Sequence, residues 1–133
     1  DASANAGFTT GEPWLPLGDD HAVVNVAAER DDPASMLTLH RRLIQLRHRE
    51  PALHRGDWRP VPRAEDVLVY ERTWRDSRFL VALNFGSQPA AFTLPADAPA
   101  GAVAIGTTPG REGERVEGEL RLAGDEGVVV RLG

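Results

Sequence analysis

The acids and bases of this chain are numerous, but their spacing assembles no catalytic set. Acid–base or glycosyl chemistry would need two of the 20 carboxylates to converge in unlike environments. The adjacent pairs Glu65-Asp66 and Asp125-Glu126 lie in turn-like sequence, where solvated surface positions are expected. Asp19-Asp20-His21 offers oxygen and imidazole ligands without the spacing of a cation loop, so a polar turn is expected there. His21, His40, His48 and His54 never form His-x-x-x-His, and no serine stands in Gly-x-Ser-x-Gly. The 15 basic residues are all arginine, which excludes Schiff-base chemistry and a P-loop lysine. With no cysteine, thiolate nucleophiles, disulfides and cysteine metal sites are excluded as well. The glycine-rich run 106–118 leads into a predicted strand, so it lacks the N–H array of a helix N-terminus that would hold a phosphate. No catalytic, cofactor-binding or metal-binding residue is assigned. The remaining feature is aromatic: Trp14, Trp58 and Trp74 lie in or beside predicted loops. Packing is the ordinary use of such rings, and Trp58 and Trp74 are the candidates for stacking on a sugar.

Any such platform needs elements to carry it. A net charge of −5 with dispersed arginines argues against a nucleic-acid partner. No apolar run approaches the roughly 18 residues that a membrane-spanning helix needs. One domain is the natural reading of 133 residues. Residues 1–31 carry Gly7, Gly11, Pro13, Pro16 and Gly18 between isolated apolar residues, which predicts an irregular connection. Phe8, Trp14, Leu15, Leu17, Val23, Val24 and Val26 are too apolar for a disordered tail; they need a surface to lie on.

The stretch from Asp32 to Pro51 predicts an α-helix, with Asp32 as N-cap, Pro33 at the first helical position and Pro51 as the stop. Met36, Leu37, Leu39, Leu43, Ile44 and Leu46 spread over an arc of roughly 180°, wider than one partner needs. Arg47 and His40 project near its middle, and Arg47 is expected to reach a buried carboxylate or carbonyl. From Gly56 onward the pattern changes to short alternating runs between turns, the signature of an antiparallel sandwich. The predicted strands are 57–61 (an edge strand because of Pro60 and Pro62), 67–74, 79–85, 90–94, 102–105, a run from Glu114 through Leu122, and one over 128–132. The runs 67–74 and 79–85 should form a hairpin, and the last two strands should pair.

Seven short motifs in order carry a resemblance: Asp1-x-Ser3-x-Asn5-Ala6-Gly7-Phe8, Glu12-Pro13-Trp14-Leu15, Val24-Asn25-Val26, Asp32-Pro33-x-Ser35, Arg42-Leu43-Ile44-x-Leu46-Arg47, Pro51-Ala52-Leu53 with Gly56, and Leu83-Asn84-Phe85. Together they resemble the C-terminal part of α-glucosidases and oligo-1,6-glucosidases of glycoside hydrolase family 13, the α-amylase family. The likeness covers residues 1 to about 94. It departs at Leu39 and His40, often aromatic in relatives, in the arginines that replace lysines, and over 98–118, which leaves the distal strand count open.

The resemblance implies a mainly β chain. An antiparallel Greek-key β-sandwich of the α-amylase domain C type would follow an irregular segment and one long α-helix. Residues 1–31 would be the connection after the last barrel strand, 32–55 the last barrel helix and linker, and 56–133 the C-terminal sandwich. The family's nucleophilic aspartate, acid/base glutamate and third aspartate come from earlier barrel strands, so this chain carries none of them. The implied role is the non-catalytic C-terminal part of a retaining α-glucosidase acting at the non-reducing ends of short glucans. Its partners would be the missing catalytic barrel and an α-glucan, without cofactor, nucleic acid or membrane, and the family favours the cytoplasm. The alternative is a free-standing carbohydrate-binding or interaction β-sandwich.

Overall fold

A computed structural model describes residues 1–62 and 66–133; Glu65, of the first acidic pair, lies outside them. The chain divides into two compact units, 1–43 and 44–133.

The first unit opens on a left-handed turn. Asn5, Ala6 and Gly7 have φ of 56°, 55° and 74°, a conformation that costs a non-glycine residue on the order of 1 kcal/mol or more. Asn5 offsets that cost by donating from Nδ2 to the carbonyls of Thr9 (3.1 Å) and Gly11 (2.8 Å). Beyond this short 3-10 turn (Ala4–Gly7), the irregular segment holds a single α-helical turn α1 (Val26–Glu29), whose N-cap Asn25 accepts from the Ala28 N–H at 3.0 Å.

The long helix α2 spans Met36–Arg49 and begins later than the Asp32 cap predicts. Asp32 instead closes a turn, its Oδ1 accepting from Ala34 N–H at 2.8 Å. Ser35 is the cap: its Oγ accepts from Thr38 N–H at 3.2 Å, and its carbonyl accepts from Leu39 N–H. Glu29 satisfies a further orphan donor, Leu37 N–H, at 2.9 Å, and negative charge there suits the helix dipole. The segment Asp-Pro-Ala-Ser holds two capping side chains, and the Asp32 turn hands the helix to the second. At the other end α2 stops before Pro51 as expected. Pro51 then takes the N1 position of a short helix α3 (Pro51–Arg55), where its missing N–H costs nothing. Of the six apolar positions on α2 only Leu46 is buried, while Met36 and Ile44 are 61% and 53% exposed.

Among the described residues the second unit contains eight strands: β1 (Asp57–Pro60), β2 (Val67–Trp74), β3 (Ser77–Asn84), β4 (Ala90–Thr93), β5 (Gly101–Gly106), β6 (Arg115–Val116), β7 (Glu119–Leu122) and β8 (Gly127–Leu132). They form an antiparallel sandwich, one sheet ordered β1-β2-β3-β8-β5-β6 and the other β4-β7. The predicted hairpin is present, closed by Arg75 and Asp76 with Trp74 opposite Ser77. Period-two alternation builds the core. Val67, Val69, Leu80, Ala82, Val103, Val128, Val130 and Leu132 of the large sheet meet Phe92, Leu120 and Leu122 of the small one. Leu83, whose continuous apolar run suggests core, faces the other way and is half-buried.

The last two strands do not pair with each other. The expected strand 114–122 is broken at Gly118 (φ +69°) into β6 and β7, which belong to different sheets; β8 pairs with β3 and β5, and β7 with β4. Alternation states which side chains point inward, and it reads the same whether two strands lie side by side or across a core from each other.

Candidate functional site

The large sheet has a second face, and the residues singled out for stacking share it. Trp58 on β1 stands opposite Arg72 on β2, so Trp58, Tyr70, Arg72 and Trp74 all project away from the sandwich core. Trp58 lies 6.1 Å from the Tyr70 ring centroid at an interplanar angle of 35°. Trp74 is a diagonal neighbour of Trp58 in this register, and the Arg75 guanidinium stands 5.9 Å from its ring centroid. Trp58 is 56% exposed and Trp74 37%.

Helix α3 packs on the same side of the sheet, against β2 and β3. Arg72 Nε donates to the Ala52 carbonyl at 3.2 Å, and Arg47 Nη1 donates to the Leu53 carbonyl at 2.6 Å. The expectation that Arg47 reaches a carbonyl therefore holds, with α3 supplying it. Phe79 and Val81 are buried on this face, with the Arg131 guanidinium 4.9 Å over the Phe79 ring and ion-paired to Glu50. Trp14 is elsewhere, in the first unit, where it lines a groove of about 390 Å³ with Phe8, Pro13, Leu15, Pro16 and Leu17.

Two carboxylates among the described residues of the sandwich are buried, and neither burial is legible as a motif. Glu71, on the core side of β2, accepts from Arg59 on β1 (Nε 2.9 Å) and from Arg78 on β3 (Nε 3.1 Å, Nη2 2.6 Å). Arg78 reaches on to Asp97 Oδ2 at 3.1 Å. Burial pushes the Asp97 carboxyl up, but Arg78, a backbone N–H and Arg59 together outweigh it and hold that group below its ordinary value.

Glu126 corrects the expectation of a solvated Asp125-Glu126 turn, being only 3% exposed. Its Oε2 accepts from Ala123 N–H at 2.7 Å and Arg111 Nη1 at 2.8 Å. Burial opposes its ionisation, and the Ala123 N–H, Thr108 and Arg111 more than compensate, so its pKa is lowered. The strand-to-strand connection that contains Glu126 is stitched to the β3–β4 connection by Asn84, which donates to the carbonyls of Gln88 (2.8 Å) and Ala123 (2.7 Å).

These are structural clamps. Each carboxylate is committed to arginine, and the carboxylates that share those arginines, Asp97 with Glu71 and Glu114 with Glu126, are themselves ion-paired, so neither pair offers a free acid and base. Among the described residues no group of three metal-ligating side chains forms, and Asp19-Asp20-His21 is a surface turn in which His21 Nδ1 lies 2.9 Å from the Gly18 carbonyl oxygen.

Similarity to known proteins connects the two units. Residues 1–56 match the family model described as the alpha amylase catalytic domain, and that match ends where β1 of the sandwich begins. Trehalulose synthase MutB from Pseudomonas mesoacidophila MX-45 has a crystal structure that superposes on all of this chain, with a TM-score of 0.91 at 34% identity. The chain belongs to the α-amylase family, glycoside hydrolase family 13. Within this family it is 34% identical over 94 residues to glucan 1,6-alpha-glucosidase of Streptococcus pneumoniae serotype 4, a match over 71% of this chain and 18% of that protein. It is also 36% identical over 110 residues to the amino acid transporter heavy chain SLC3A2 of Oryctolagus cuniculus, over 76% of this chain and 21% of that one. It spans 24% of the trehalulose synthase chain. The α-amylase-family chain is thus a mainly β sandwich with few helices, corresponding to the family's C-terminal β domain and the segment before it.

Proposed function

We propose that this chain is the C-terminal, non-catalytic part of a retaining α-glucosidase that acts on α-glucosidic bonds at the non-reducing ends of short glucans. Residues 1–31 are then the connection after the last barrel strand, 32–55 the last barrel helix and linker, and 56–133 the C-terminal sandwich. The observation that carries this reading is the end of the catalytic-domain match at residue 56, within a longer similarity to a glucosidase that crosses it. The exposed apolar residues of α2 and of the segment before it support a catalytic barrel as partner in the same polypeptide.

Two observations test it. The purified 133-residue chain should not turn over an aryl α-glucoside, because retaining hydrolysis needs carboxylates about 5 to 5.5 Å apart. Turnover that is lost on changing one of this chain's own carboxylates would overturn the reading. The coding sequence upstream of Asp1 should encode a barrel bearing the carboxylate pair.

The exposed tryptophans favour a second reading, a carbohydrate-binding or interaction sandwich with Trp58 and Trp74 as its platform. In that case an isomalto-oligosaccharide should quench tryptophan fluorescence saturably, and Trp58→Ala should remove the response. The similarity to a transporter heavy chain keeps the interaction form of this reading open, and an upstream barrel without paired carboxylates would favour it.

A further inference from the structure

The arginines of the second unit fall into two groups. Arg59, Arg78, Arg111, Arg115, Arg121 and Arg131 each meet a carboxylate. Among the described residues Arg47, Arg49, Arg55, Arg72 and Arg75 meet none, and of these Arg47, Arg55 and Arg72 gather at α3. Arg47 and Arg72 are pinned there through one N–H each to the Leu53 and Ala52 carbonyls. A guanidinium carries five N–H donors, so most of theirs stay uncommitted. His48 from the end of α2 and His54 from α3 complete the cluster. His54 is held below its ordinary value first by desolvation and then by Arg55, Arg47, His48 and Arg72; the three arginines charge this spot positively. It is a concentrated basic patch on a chain of net charge −5. Directly across the β1–β2 ladder from Arg72 stands exposed Trp58, stacked near Tyr70.

We propose that this face, Arg47, Arg55, Arg72 and His54 beside Trp58, is a docking surface for a carboxylate-rich segment of a partner protein. Charge complementarity selects the occupant. Guanidinium groups free of internal carboxylates are pre-set for bidentate pairing with Asp or Glu side chains. Arginine, tryptophan and tyrosine together are the residue types that dominate the centre of protein interfaces. The inference stands apart from the glucosidase reading, since it requires no sugar chemistry.

Hexaglutamate is the probe, titrated into the full 133-residue chain at low salt. Binding is followed by the His54 ring proton shifts and by tryptophan fluorescence. The expected result is saturable binding that raises the His54 pKa toward 6.5, perturbs Trp58, and weakens as salt screens the charges. Arg55→Glu should weaken it by about tenfold or more, as loss of a charge-assisted contact would. Arg121→Ala, which removes an exposed and already paired arginine on β7, should leave it unchanged. Three results would overturn the proposal: no response at His54 or Trp58 at millimolar peptide, equal loss in both variants, or inorganic phosphate binding as tightly as the peptide. The last would make the patch a small-anion site. Because the Arg55 side chain makes no hydrogen bond or ion pair among the described residues, its replacement tests the charge and leaves the fold intact, which circular dichroism checks.

Discussion

Glu71 occupies a position on β2 where the alternation of valines predicts an inward side chain, and a carboxylate there must be neutralised or paired. The fold pairs it twice, with Arg59 from one neighbouring strand and Arg78 from the other. Arg59 can turn to solvent, but Arg78 is left with Asp97 as its one carboxylate partner, so Glu71→Ala should cost about 1–3 kcal/mol in urea melts. A loss below 1 kcal/mol would mean that the arginines find solvent freely. The lowered carboxyls also set a pH dependence. Asp97, Glu114 and Glu126 all ionise more readily in the folded chain than their ordinary values of 3.8, 4.5 and 4.5. The unfolded chain therefore binds more protons at acidic pH, and stability rises with pH through that window. The contribution is complete above the unfolded values and is lost as pH falls through the folded ones. Urea midpoints should fall below about pH 4.5, and Glu126→Gln should flatten the slope. Neither clamp is legible in the sequence, because a glutamate in an alternating strand looks the same whether its arginines come from adjacent strands or from nowhere. Glu126 is hidden for the opposite reason: a Gly-Asp-Glu-Gly turn resembles solvent-exposed sequence, and only the connection it is stitched to buries it.

At the scale of elements, what could be read was period, and what could not was partnership. The α2 helix, the β2–β3 hairpin and the inward face of β8 follow from local spacing. The N-cap of α2 moved from Asp32 to Ser35 because two capping side chains compete within four residues and the turn geometry chooses between them. Ser35→Ala should therefore cost about 0.5–2 kcal/mol, and Asp32→Ala less, in thermal melts followed by helical circular dichroism. Thr38 shares this network, its Oγ1 donating to the Asp32 carbonyl at 2.8 Å, so a surface position on the helical wheel is also part of the cap. The expected pairing of β7 with β8 fails for a related reason. Gly124 lets the chain cross between sheets where a Cβ would come within 2.2 Å of the Ser87 carbonyl oxygen, a close approach that the alternation of its neighbours does not reveal. The stacking candidates are legible as residue types, and their common face only as register.

The whole molecule leaves a large share of its aromatic and aliphatic surface in water, and that is a property of the first unit more than of the sandwich. Phe8 and Trp14 are 90% and 89% exposed and line one groove, held on a loop whose left-handed turn is fixed by Asn5 rather than by packing. Contiguous apolar surface of this kind is rare on a monomer and normally lies under a partner. None of these residues belongs to the sandwich core, so surface and stability should separate under mutation. The purified chain should bind anilinonaphthalene sulfonate saturably, and the double variant Phe8→Ser, Trp14→Ser should lose most of that fluorescence. The urea midpoint of the sandwich, followed by Trp58 and Trp74 emission, should move by no more than the roughly 0.5 kcal/mol typical of surface changes. Unchanged dye binding in the variant would place the exposed apolar area elsewhere. A large drop in the midpoint would show that the loop packs on the sandwich and stabilises it, in which case its apolar residues are core of a self-sufficient domain and need no barrel to cover them.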